Sequence, residues 1–318
     1  MSSVAASVVA VLSIAVVTSP AIAQGPGNYN YTTFDHPNAV TSTSVNGIND
    51  FGDFVGIYDD AQGKFHGFLG HKGSTQITPI DYPGADQTYI FRINNSNKIV
   101  GTYFDKNGYQ HGFLRAPGYP ATYISFDMPG AVQGKYAPFE LGTGLGTSAY
   151  GLNNLGDIVG QFADGYSIGH GFIRSHDKYY AYSHPAAGPA PGFYGGSGFA
   201  AINDAGDLAG GYATSNPYDP IFTHGFMLTG GGLTPIDPAG SIFTQVFGIN
   251  NRQEVSGFYY DVYEIGHGFI YRNGTYQVID VPGAVYVSTV GTVNMYSDFV
   301  GEYVDGFGIT HGYIATKK

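Results

Sequence analysis

The stretch Ile48-Asn49-Asp50-Phe51-Gly52-Asp53-Phe54-Val55-Gly56-Ile57-Tyr58, followed shortly by Phe65-His66-Gly67-Phe68-Leu69, decides the fold, because its relatives recur down the chain. The Asn returns as Asn94, Asn153, Asn203, Asn250 and Asn294, and a Gly follows each one at Gly56, Gly101, Gly160, Gly210, Gly257 and Gly301. A His-Gly pair closes each copy, at His66, His111, His170, His224, His267 and His311. Each unit holds short runs of β-branched and aromatic residues bounded by Gly, Asn, Asp and Pro. That is the pattern of strands joined by tight turns, and no segment after residue 30 shows a helical period.

A second motif alternates with the first: an aromatic or aliphatic residue, then Asp, then a Pro nearby. Its copies are Phe34-Asp35-His36-Pro37, Ile80-Asp81-Tyr82-Pro83, Phe126-Asp127-Met128-Pro129, Tyr182-Ser183-His184-Pro185, Ile236-Asp237-Pro238 and Ile279-Asp280-Val281-Pro282. The units repeat at about 43–59 residues, the range of a propeller blade of four antiparallel strands. The reading is an all-β, six-bladed β-propeller spanning 31–318. Strand A runs into the Asn, B carries the following Gly, C carries the His and D carries the Asp. The first motif along the chain is of D type (Tyr31–Asp35) and the last unit ends on its C strand (Thr310–Ile314). The N-terminal strand is therefore predicted to complete the last blade, which removes an open sheet edge.

The Ile-Asn-x-x-Gly-x-Ile-Val-Gly-x-Tyr, His-Gly-Phe and Ile-Asp-x-Pro-Gly-Ala sequences resemble the HAF-repeat family of extracellular bacterial repeat proteins, in six copies over nearly all of residues 31–315. The resemblance implies a secreted bacterial repeat protein. It brings no catalytic residue with it. The fourth copy departs most, with Ala209 where Val is usual and Ser183 in place of the Asp.

Composition narrows the function. Thirteen Lys and Arg against 24 Asp and Glu give a net charge of −11, which argues against a nucleic-acid partner. With no Cys, a disulfide scaffold, a thiolate metal site and a Cys nucleophile are excluded. No phosphate loop, dinucleotide fingerprint or Gly-x-Ser-x-Gly elbow is present, and no cofactor is expected. Residues 1–23 read as a signal peptide: the apolar run Val4–Val17, a break at Ser19-Pro20, then Ala21-Ile22-Ala23 before Gln24. Residues 24–30 read as a flexible lead-in. The expectation is a protein secreted to the periplasm or the exterior, with no membrane insertion after cleavage.

The repeated residues read as scaffold. With strands about 4.8 Å apart, histidines on strand C lie roughly 15 Å from the axis and roughly 15 Å from one another, too far to share a metal. Each is expected to be half-buried and bonded to a carbonyl or to a nearby Asn or Asp. The Asn is expected to cap its A–B turn, and the strand-B Gly to accept a ring or backbone against it. Asp60, Asp105, Asp164, Asp261 and Asp305 fall at B–C turns. Turn chemistry explains them, with calcium coordination as the alternative.

Function is expected where the copies differ. The long insertions are D–A and B–C connections, which share one face. Val132–Gly146 carries Lys135, Tyr136, Phe139 and Glu140. Ala186–Gly198 carries Phe193 and Tyr194, and Ala213–Phe222 carries Asn216, Tyr218 and Asp219. Two residues before each Asn stand Gly47, Arg92, Gly151, Ala201, Gly248 and Thr292. The small ones let strands crowd the axis, and Arg92 is the exception, able to bind a carboxylate or sulfate. Arg92, Lys135, Tyr136, Phe139, Phe193, Tyr194, Asn216 and Tyr218 therefore form the candidate binding set for an extracellular polymer or glycan. A polysaccharide lyase or glycoside hydrolase on the same face is the alternative, with Glu140, Asp219, Tyr136 and Arg92 as its groups.

Overall fold

The computed structural model describes residues 28–133, 146–188, 196–214, 216, 218–219, 221–230, 232–285 and 288–318. They form a six-bladed β-propeller with no helix. Blade 1 pairs Thr43–Ile48, Phe54–Asp59, Phe65–Gly70 and Ile77–Pro79 in that order, and blades 2 to 5 repeat the same four-stranded meander. In blade 6 the two central strands are Phe299–Val304 and Thr310–Lys317. The inner strand of that blade reduces to the bridges Ser288–Tyr303 and Val293–Phe299.

Closure is as expected from the order of motifs. Tyr29–Phe34 pairs antiparallel with Thr310–Lys317, from Tyr29 opposite Lys317 to Phe34 opposite Gly312. The strand starts at Tyr29, inside the segment read as lead-in, because Tyr29 has a core position to fill. Its ring is buried and meets Phe299 edge to face at 4.7 Å. Residues 1–23, read above as a signal peptide, lie outside the described residues.

The core is made of layers between blades. Phe68, Phe113, Phe172, Phe226, Phe269 and Tyr313, one from each strand C, are fully buried. The strand-B glycines make room for them. A Cβ on Gly56 would sit 1.9 Å from the Ser44 carbonyl and 2.7 Å from the Phe68 ring. Near the axis, a Cβ on Gly151 would come within 2.8 Å of Ala201 Cα in the next blade, so small residues there do let the inner strands crowd together.

One inner-strand feature is new. Five inner strands carry a bulge at the third residue before the Asn, skipping Asn46, Phe91, Tyr150, Ala200 and Phe247 in the ladder. A bulge turns its strand locally, and here the carbonyls of Asn46, Ala200 and Phe247 face Arg92. Phe91 and Tyr150 meet edge to face at 5.0 Å across blades 2 and 3.

Candidate functional site

The two faces are built differently. On the A–B side, each repeated Asn caps its own turn as expected: Asn49 Oδ1 accepts from Phe51 N at 3.0 Å and Asp53 N at 2.9 Å. Each also reaches its neighbour. Asn49 Nδ2 donates to Asn94 O at 3.4 Å, Asn94 to Asn153 O at 3.0 Å and Asn153 to Asn203 O at 3.2 Å. Asn203 donates to Asn250 O at 3.1 Å, Asn250 to Asn294 O at 3.0 Å, and Asn294 back to Asn49 O at 3.2 Å. Six amides thus form a closed circle. The next residues form a second circle, in which Asn154 N donates to Asp204 Oδ1 at 2.7 Å and Met295 N to Asp50 Oδ1 at 2.9 Å. Met295 has no side-chain oxygen to accept the sixth link.

Inside these circles an axial funnel opens, with Arg92 among its lining residues. Here the structure corrects the placement of Arg92. Its guanidinium donates across the axis to the carbonyls of Asn46 (3.1 Å), Ala200 (3.4 Å) and Phe247, three blades away from its own. Burial lowers its pKa to about 10. It ties blades together on the A–B side of the channel.

On the opposite face five of the six strand-C histidines sit between two polar side chains, and the sixth, His111, pairs with Asp127. His66 Nδ1 is 3.0 Å from Asp81 just past strand D, and Nε2 is 3.1 Å from Asp60 at the B–C turn. His267 repeats this with Asp280 (2.8 Å) and Asp261 (3.5 Å). In blade 6, His311 meets Asp305 (3.4 Å) and Asp35 (2.9 Å), which arrives on the N-terminal strand. In blade 3, Ser183 replaces the strand-D Asp and still bonds His170 Nδ1 at 2.8 Å. An aromatic from strand B stacks on each imidazole, as Tyr103 does on His111 at 5.0 Å. For His66 and His311, burial opposes the charged form but the flanking carboxylates outweigh it and raise the pKa. For His267 the Asp280 bond dominates and also raises it.

The B–C turn carboxylates are committed on both sides. Asp261 Oδ1 accepts from Tyr263 N at 2.8 Å and Ile265 N at 3.0 Å, while Oδ2 faces His267. Asp60, Asp164 and Asp305 do the same, and backbone donors also hold Asp105. The oxygens a calcium ion would need at these five positions are thus engaged within the turns. Among the described residues no group of three or more His, Asp or Glu is placed to hold a metal ion.

Blade 4 solves the same problem with an insertion. Thr214 stands where the turn Asp would be, and the work is divided. Asn216 Oδ1 accepts from Tyr218 N at 3.1 Å, and Asp219 Oδ2 reaches His224 Nε2 at 3.2 Å. Asp219, a carboxylate of the catalytic alternative, is therefore a partner of the scaffold histidine. Asn216 holds a turn, and Tyr218 stands free at its tip. Lys135, Tyr136, Phe139, Glu140, Phe193 and Tyr194 lie outside the described residues.

Three aromatic residues on this face escaped sequence reasoning. Tyr166, Tyr263 and Phe307 each lie two residues after the B–C Asp, at the turn tip. They are 86%, 71% and 93% exposed, beside Tyr218 at 92%. The available signal was their fixed offset from the Asp, hidden because blades 1 and 2 carry Gln62 and Asn107 there.

No family model and no curated protein sequence matches the chain. Among solved structures it is similar to AofleA from Arthrobotrys oligospora, with 11% identity and a TM-score of 0.53 over 91% of this chain and 84% of that one. It is also similar to the Aleuria aurantia lectin in complex with Fucα1-6GlcNAc, with 12% identity and a TM-score of 0.51 over 88% and 96%. A third is the β-propeller domain of the Trilobed protease from Pyrococcus furiosus, described as having an open velcro topology, with 9% identity and a TM-score of 0.50 over 87% and 97%. At these identities the likeness is one of fold.

Proposed function

We propose that this chain is a secreted carbohydrate-binding propeller that takes its ligand on the face of the B–C and D–A connections. The observation that carries the reading is the set of exposed aromatic side chains, one at the tip of a clamped B–C turn in each of blades 3 to 6, joined in blade 5 by the exposed Val262 and Ile265. An isolated exposed ring on a fixed backbone offers a stacking surface at low entropic cost, as rings do in other recognition surfaces. Each ring belongs to a different blade, so the four do not merge into one continuous apolar patch of the kind that marks a protein-docking surface. By chain order the D–A connections of blades 3 and 4 belong to the same face, although most of their residues lie outside the described ones. Lys135, Tyr136, Phe139, Phe193 and Tyr194 extend the proposed site, with Asn216 and Tyr218. The solved lectin of similar fold supports a carbohydrate ligand for this architecture. Export after removal of residues 1–23 would place the protein where such polymers are met.

A glycan array probed with the purified chain tests this. Retention of defined glycans, lost in Tyr218→Ala with the melting curve unchanged, is the expected outcome. An array without any retained glycan would overturn the proposal.

A further inference from the structure

The charge pattern around the tips narrows the ligand class. In blades 3 to 6 the described B–C turns carry Asp164, Asp219, Asp261, Glu264 and Asp305 and no Lys or Arg. Strand D adds Asp237, Asp280 and Asp35 just behind them. On blades 1 and 2, where Gln62 and Asn107 replace the aromatic tips, Lys64 is paired to Asp86 and Lys106 adjoins Asp105. Among the described residues the turns of the ring-bearing half thus carry carboxylates, faced by His170, His224, His267 and His311, and no Lys or Arg. Fixed like charge repels a polyanion and costs an uncharged ligand nothing. The tip backbone is locked: the residue after each ring has a left-handed φ of 61° at Ser167, 62° at Glu264 and 80° at Gly308, and the Asp holds the ring residue's own N–H.

We infer that Tyr166, Tyr218, Tyr263 and Phe307 form four repeated subsites for an uncharged glycan, one per blade on blades 3 to 6. This rests on the carbohydrate-binding reading above. By the strand-spacing geometry, neighbouring tips stand roughly 15 Å apart, so a long or branched chain engages several at once. Each subsite alone is then weak, and avidity supplies the affinity. The opposite face provides the internal control, because Phe51, Leu155 and Tyr296 are also exposed aromatic or aliphatic tips but sit on the A–B turns.

The test uses affinity electrophoresis of the full chain in gels holding neutral galactomannan, xylan, mixed-linkage β-glucan or fucosylated xyloglucan, or polygalacturonate as the polyanion. Retardation by at least one neutral polymer is expected, unchanged between low and high salt, with none by polygalacturonate. Tyr263→Ala and Phe307→Ala should each weaken retention, and the double variant should weaken it by roughly tenfold or more, as loss of aromatic anchors does. Phe51→Ala combined with Tyr296→Ala should leave it unchanged. Salt-sensitive retardation by polygalacturonate, or tip variants that bind as the parent does, would overturn the subsite assignment while leaving carbohydrate binding intact. Retardation by none of the five polymers would overturn both.

Discussion

The A–B face and the B–C face are made from the same six repeats, yet they treat repetition in opposite ways. On the A–B face an Asn stands in every blade because each one completes its neighbour: its oxygen caps its own turn and its amide caps the next. A circle of this kind has no position that can vary alone, since a change leaves one buried carbonyl without its donor. On the B–C face each Asp–His unit is closed within one blade, apart from the strand-D Asp35 that arrives from the N-terminus. A blade there can change its tip, lengthen its turn or divide one side chain's work between Asn216 and Asp219 without disturbing the others. The lesson is that bonding between blades fixes one face and leaves the other free to vary blade by blade.

The largest expected effect comes from opening the ring. Deleting residues 29–36 removes a whole strand of blade 6, with six paired residues and the Tyr29 ring. Each ladder bond is worth roughly 0.5–1.5 kcal/mol net, so the loss rivals the roughly 5–15 kcal/mol that holds a typical domain. The truncated chain should aggregate or melt far below the parent. An unchanged melting curve would mean that the strand does not close the propeller.

Next comes one link of the amide circle. Asn153→Ala removes the bonds to Asn203 O and Asp157 and frees the Asp157 N–H. It should cost about 2–4 kcal/mol, because buried partners are left unsatisfied at about 1–3 kcal/mol each. Denaturant unfolding measures it. A cost below about 0.5 kcal/mol would show that the circle does not couple blades.

The pH dependence follows from the clamped histidines. His66, His267 and His311 have raised folded pKa values. Their stabilisation is complete below the unfolded value of about 6.5 and fades as pH rises through the folded values. Glu302 acts in the same direction at lower pH, since burial pushes its carboxyl up to about 7 and its stabilisation is lost between the ordinary carboxyl range and about pH 7. The melting temperature should therefore fall as pH rises from about 5 to above 7, with the Glu302 part first and the His part above about 6.5. His267→Gln should shrink the His part of that fall, and Glu302→Gln should shrink the rest. A parent profile identical to that of both variants would contradict the assignment.

The smallest effect on stability is expected at the tips. Tyr166→Ala and Tyr263→Ala should change unfolding free energy by no more than about 0.5 kcal/mol, as exposed positions do. A loss above about 2 kcal/mol would make these rings structural and remove the contrast between the faces.

Much of the fold was legible because its signals are local and repeated. The Asn, the strand-B Gly and the His-Gly recur at fixed offsets, and the D-type motif at Phe34-Asp35 announces closure. What stayed hidden depends on contacts between blades or across the axis. The destination of Arg92 could not be read, because its acceptors are backbone carbonyls of residues 46, 200 and 247, which carry no side-chain signature. The amide circle was half visible, as turn caps without neighbours. Tyr166, Tyr263 and Phe307 were overlooked because attention to long insertions passed over short turns. Asp219 looked like a free carboxylate because its offset from Asn203 differs from that of the Asp it replaces.

The central claim, that recognition belongs to the B–C face, is tested most directly by hydrogen–deuterium exchange with and without a saturating neutral glycan retained by the parent chain. The account predicts slowed exchange at the turns around Tyr166, Tyr218, Tyr263 and Phe307, with residues 49–53, 94–98 and 250–254 unchanged. Protection confined to those A–B turns would contradict it.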